Sequence, residues 1–126
     1  MALIVETGEI VENANSYVDL AYARAYATAR GLALSDADDT LEAQLITAMD
    51  YLEALRSQYQ GTKLGSLQWP RYGVFIDGVE LASDTIPKEL KDAQCRLAFE
   101  VSSGVDIMPT TSGKYAKREK VGDLEV

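Results

Sequence analysis

The residues "SLQWPRYGVFIDGVEL", 66–81, decide how this chain is read. They hold its only tryptophan, Trp69, followed at once by Pro70, Arg71 and Tyr72. They also lie between two helix-like stretches, where a small helical domain would carry a short polar loop. Asp77-Gly78 between β-prone runs is the strongest short-range signal for a tight hairpin, which we place near 72–82. Trp69 and Pro70 then sit just before the first strand, where proline does little harm to a ladder. A Trp-Pro-Arg corner in a connection suits four roles: an enzyme site, a stacking platform for nucleic acid, a protein-docking finger, or a piece of core.

The flanks read as helices. Before the corner, Leu41, Leu45, Ala48, Leu52, Leu55 and Tyr59 recur at four-three-four-three-four spacing, one apolar stripe about five turns long. Asp39 and Glu42 form its expected capping pair, and Gly61 its stop. Further upstream, Asp19 is the expected N-cap of a helix carrying Leu20, Ala23, Tyr26 and Ala27, with Val18 and Ala23 as a staple and Gly31 at the end. After the corner, Pro87 is expected at the first helical position, followed by Leu90, Ala93, Leu97 and Val101, with Gly104 as terminator. The predicted fold class is therefore mainly α: a small three- to four-helix bundle with one inserted β-hairpin, over residues 1–104. An extended C-terminal arm follows over 105–126, with an edge strand expected in 121–126.

Bulk properties narrow the function. A chain of 126 residues with a 47% hydrophobic share is expected to fold as one domain. Cys95 is the single cysteine, so no internal disulfide can form, and a reducing compartment is expected. "MALIV" lacks a basic leader and meets Glu6 at once, and no stretch approaches the roughly 20 apolar residues that span a bilayer, so neither an export signal nor a membrane partner is expected. The net charge of −8 is unevenly spread. "KYAKREK", 114–120, carries Lys114, Lys117, Arg118 and Lys120 against Glu119, whereas residues 1–113 hold eight basic and seventeen acidic side chains. An acidic body repels phosphate backbones.

Chemistry finds little foothold. Without any histidine, Ser-His and Cys-His arrangements are impossible and the commonest zinc ligand is missing. Cys95 falls beside an apolar helix face and reads as a small buried hydrophobe. "DADD", with Asp36, Asp38 and Asp39, lacks the glycine and distal glutamate of a calcium loop and reads as a turn and cap. No catalytic residue, metal site or cofactor is expected, and the chain is expected not to be an enzyme. For single-stranded nucleic acid, Trp69, Tyr72 and Phe75 could stack with Arg71 and Lys63 nearby, but Asp77 and Glu80 follow on the same hairpin. For association, Trp69, Arg71 and Tyr72 are residue types enriched at interface hot spots. The expectation is that Trp69 packs inward while Arg71 and the hairpin tip face a neighbour.

"ANSYVDLAYARAYATARG", "AMDYLEALRSQYQG", "LQWPRYGVFIDG" and "IPKELKDAQCRLA" occur in that order, and with the closing "REKVGDLEV" they cover about residues 5–126. This layout resembles phage and prophage proteins catalogued as DnaT-like single-stranded-DNA-binding proteins, and is similar to the head-tail connector (adaptor) proteins of long-tailed phages. The connector resemblance implies a virion protein of the neck, made in the host cytoplasm, in a dodecameric ring through which DNA passes as cargo. Its implied partners are the portal protein, a stopper or tail-completion protein, and its own copies. In that reading Lys114, Lys117, Arg118, Lys120, Val121, Leu124 and Val126 meet the portal, and Trp69, Arg71, Tyr72, Phe75 and Asp77 meet neighbouring subunits. The DnaT-like resemblance implies a basic, aromatic surface instead. The sequence favours the connector, because no such surface is visible along the chain.

Overall fold

The computed structural model describes residues 3–107. Three helices run over Leu20–Ala29 (α1), Asp38–Ala54 (α2) and Lys88–Ser102 (α3). Between α2 and α3 lie a 3-10 turn, Arg56–Gln58, and four two-residue strands: β1 Thr62–Lys63, β2 Arg71–Tyr72, β3 Phe75–Ile76 and β4 Val79–Glu80. β1 pairs antiparallel with β2 and β3 with β4, giving two small sheets. An isolated parallel bridge joins Val5 to Ser16.

The expected three- to four-helix bundle is thereby corrected: the described fold is mixed α/β, with three helices and two antiparallel sheets. The reason lies in how the core closes. α2 and α3 form the main helix pair, and α1 rests chiefly on α3. One core cluster (Val18, Ala23, Leu41, Leu45, Ala48, Cys95, Ala98) is mostly helix against helix, with small residues allowing close approach. The other takes Met49, Leu52 and Leu90 from the helices but is roofed by Tyr17, Trp69, Val74 and Ile86, all outside them. A non-helical layer thus replaces the fourth side of a bundle.

Local signals explain the element ends unevenly. Asp19 caps α1 as expected, its Oδ1 accepting from the Tyr22 N–H at 2.8 Å, and Gly31 follows at a left-handed φ of 67°. The α2 cap falls two residues before the expected Asp39, on Ala37, with no side-chain cap bond. Asp38 and Asp39 instead place negative charge in the first turn, where the helix dipole favours it. α2 also stops at Ala54 rather than running to Tyr59. Pro87 is the N-cap of α3, one position ahead of expectation. Asp77 (φ 53°) and Gly78 (φ 80°) make the two-residue turn of the β3–β4 hairpin, as the Asp-Gly pair predicts.

Fully buried Gln94 binds the layers together. Its Oε1 accepts from the Tyr17 N–H at 2.9 Å, while its Nε2 donates to Ser16 Oγ and to the Leu45 carbonyl, each at 2.9 Å. One α3 side chain thereby ties the lead-in of α1 to α2, with its amide hydrogen-bonding capacity satisfied.

Candidate functional site

The Trp-Pro-Arg corner folds inward. After α2 the chain turns back so that the Tyr59 ring meets Trp69 edge-on, centroids 5.4 Å apart at 77°, and the Tyr59 hydroxyl donates to the Leu52 carbonyl at 2.8 Å. Trp69 is 5% exposed. Arg71 is as well buried, at 6%, and its guanidinium is spent on the backbone. It donates to the carbonyls of Gln60 (2.6 Å), Gln68 (3.0 Å) and Gly61 (2.9 Å) and to Gln68 Oε1 (3.2 Å). Its charge also lies 5.6 Å from the Tyr59 ring and 5.8 Å from the Trp69 ring. The expectation that Arg71 faces outward is corrected: a five-donor fork is the side chain best able to satisfy converging carbonyls, and here it holds two loops together.

The corner is anchored from beneath. The Tyr17 hydroxyl donates to Glu53 Oε2 at 2.5 Å and accepts from the Trp69 N–H at 3.2 Å, and Glu53 also accepts from the Gln68 N–H. Burial first, and then the adjoining Glu53 carboxylate, hold the Tyr17 hydroxyl far above its ordinary pKa. An apolar cavity of about 400 Å³ opens beside Trp69, between Leu52, Val74, Ile76, Leu90 and Ala93.

Of the remaining residues expected at an interface, Tyr72 (52% exposed), Phe75 (51%) and Asp77 lie at the surface. The side chain of Gln60 covers one edge of their hairpin: it accepts from the Phe75 N–H and donates to the Phe75 carbonyl, in the manner of a neighbouring strand. Lys114, Lys117, Arg118, Lys120, Val121, Leu124 and Val126 lie outside the described residues.

A second constellation escaped the sequence reading. Along α1 and at the start of α3, Tyr22, Ala25, Tyr26, Arg30, Lys88 and Asp92 line a cavity of about 200 Å³. The Arg30 guanidinium stands 3.9 Å from the Tyr26 ring centre, and Lys91 Nζ 5.1 Å from that of Tyr22. Lys88 Nζ pairs with Asp92 Oδ2 at 2.5 Å, and the Tyr22 hydroxyl donates to Asp92 Oδ1 at 2.7 Å. Burial, reinforced by that carboxylate, pushes the Tyr22 hydroxyl up to about 12. Partial burial works to raise the Asp92 carboxyl, but the hydrogen bonds from Lys88 and Tyr22 outweigh it and hold it below its usual value. Arg30 and Lys88 thus share a cavity with two tyrosine rings, and Lys91, which flanks Tyr22, lines a second cavity with Glu6 and Asp84.

Other chemistry is thin among the described residues. Cys95 is fully buried, and burial, with Asp92 nearby, pushes its thiol up to about 12. No group of three or more Cys, Asp or Glu side chains converges as a metal site there. No described helix is long and apolar enough to cross a membrane.

Comparison with known families finds one match, over residues 1–126, to the family described as "Putative DnaT-like ssDNA binding protein". No curated protein and no solved structure matches.

Proposed function

The chain belongs to this DnaT-like family, and on that premise we propose that it binds single-stranded nucleic acid by surface contact, without chemical change to the strand. The observation that carries this reading is the family match, which spans the whole chain. The α1–α3 face supports it, since stacking rings beside cations are what a single strand needs from a protein. The acidity of the surrounding body argues for a local and weak contact rather than a long groove. Residues 3–107 hold eight basic and seventeen acidic side chains, and Arg24 and Arg96 are paired with Asp38 and Glu100.

A titration of a fluorescein-labelled single-stranded oligonucleotide with the full chain, read by anisotropy at near-physiological salt, tests the reading. A saturable rise at micromolar protein that collapses as salt increases supports it. A flat trace up to high protein concentration contradicts it.

A second reading is the head-tail connector that the motif order resembles, favoured by the net charge of −9 over residues 3–107. Such a surface would let DNA pass without sticking. The exposed Tyr72, Phe75 and Val79 would then contact neighbouring subunits, and the basic 114–120 segment the portal. Co-sedimentation of the chain with DNA-filled heads bearing a portal, together with no affinity for free oligonucleotide, would favour this reading over the first.

A further inference from the structure

We propose that the face formed by Tyr22, Tyr26, Arg30, Lys88 and Lys91 is the strand-binding site, taking one nucleotide's phosphate and base at the junction of α1 and α3. This rests on the single-strand reading above and gives it a location. Two observations converge on it, and the place of Asp92 supplies its test.

The first is electrostatic. Of the eight cations in residues 3–107, Arg24, Lys88 and Arg96 pair with Asp38, Asp92 and Glu100, and Arg71 is spent on buried carbonyls. Arg30 and Lys88 line one cavity with Asp92, while Lys91 stands 5.1 Å from the Tyr22 ring and lines a second cavity with Glu6 and Asp84. Asp19, the α1 cap, and Glu89, next to Lys88, are further acids close to these elements in the chain, and Glu6 and Asp84 share a cavity with Lys91. Among the described residues, Arg30, Lys88 and Lys91 thus offer an anion local attraction on a body of net negative charge.

The second is geometric. The cavity of about 200 Å³ has the scale of a single base or phosphate-sugar unit, not of a folded partner. The Arg30 guanidinium is held twice, since it stands over the Tyr26 ring and its Nη1 donates to the Tyr26 carbonyl at 3.2 Å. A guanidinium held against a ring keeps its other face open to a base and other N–H groups free for phosphate oxygens. Lys88 is 73% exposed, so its ammonium can move from Asp92 to an incoming phosphate without unfolding anything.

The test comes from Asp92. It holds Lys88 in register and receives the Tyr22 hydroxyl, yet it opposes any anion entering the cavity. Its removal therefore gives a test with an unusual sign. Asp92→Asn is expected to tighten binding, because it removes the repulsion and releases Lys88.

The experiment uses the full chain with labelled single-stranded oligonucleotide across a salt series, comparing wild type, Arg30→Ala, Lys88→Ala, the double variant and Asp92→Asn. Each lost phosphate contact should lower the salt-dependence slope by about 0.7. Arg30→Ala should weaken binding by about tenfold at fixed salt, in the range expected for loss of a stacking partner. Asp92→Asn should strengthen it several-fold, and a duplex of the same length should bind more weakly than the single strand. Arg30 and Lys88 are exposed, and circular dichroism melts of their variants should match wild type. If wild type binds and both cation variants bind equally well with unchanged slope, the site is misplaced while the single-strand reading stands. If wild type binds no oligonucleotide at all, the reading and the site fall together.

Discussion

Arg71 and Cys95 show how much a side chain's role depends on where its neighbours end up. From the sequence, Arg71 beside Trp69 and Tyr72 has the chemistry of an interface anchor. In the fold, four acceptors converge on it, and removing the fork would leave buried carbonyls without a partner. Arg71→Ala is expected to lower the unfolding free energy by about 3 kcal/mol, from the penalty of unsatisfied buried acceptors. Arg71→Lys should recover little of it, since a point ammonium cannot span the same acceptors. Phe75→Ala, at an exposed ring, should change stability by no more than about 0.5 kcal/mol. Urea denaturation of the three variants checks this ordering. Cys95 was legible as a buried hydrophobe because it falls beside the apolar face of α3. With its thiol pushed up to about 12, it should resist iodoacetamide at pH 8 in the folded protein and react fully once denatured; mass spectrometry of the two samples decides the matter.

Among the elements, those set by adjacent residues were readable and those set by distant contacts were not. Asp19 and Gly31 bracket α1, and Asp77-Gly78 turns the β3–β4 hairpin, each by local stereochemistry. Asp19→Ala should cost about 1 kcal/mol as a lost N-cap. Gly78→Ala, at φ 80°, should cost a similar amount because a Cβ strains that conformation. Thermal melts would register both. By contrast, the apolar spacing of α2 carries on to Tyr59, yet the helix stops at Ala54. The edge-on contact with Trp69 and the hydroxyl bond to the Leu52 carbonyl hold Tyr59 in a returning turn. The β1–β2 pairing was likewise hidden, since Thr62 meets Tyr72 across a loop whose closure relies on Arg71. The N-terminal loop has a comparable device. Buried Glu6 accepts the N–H groups of Gly8, Ile10 and Val11, an arrangement no periodicity announces.

For the whole molecule, composition described the acidic body but not the α1–α3 face, which departs from it among the described residues. Tyr22, Tyr26 and Arg30 come from α1, and Lys88 and Lys91 from α3, more than fifty residues later. Only the packing of α1 on α3 unites them, which is why a search along the chain found no basic, aromatic surface. An average charge cannot describe a local one, and a small cluster can hold a strand that the rest of the surface repels. The weak, salt-sensitive affinity expected of it follows from that imbalance. The most direct measurement is an amide-resolved NMR titration of the full chain with a short single-stranded oligonucleotide. The account predicts shifts concentrated at Tyr26–Gly31 and Lys88–Asp92, with the β3–β4 hairpin and the Arg71 corner unmoved. Shifts confined to Tyr72–Glu80, or none anywhere at saturating oligonucleotide, would contradict it.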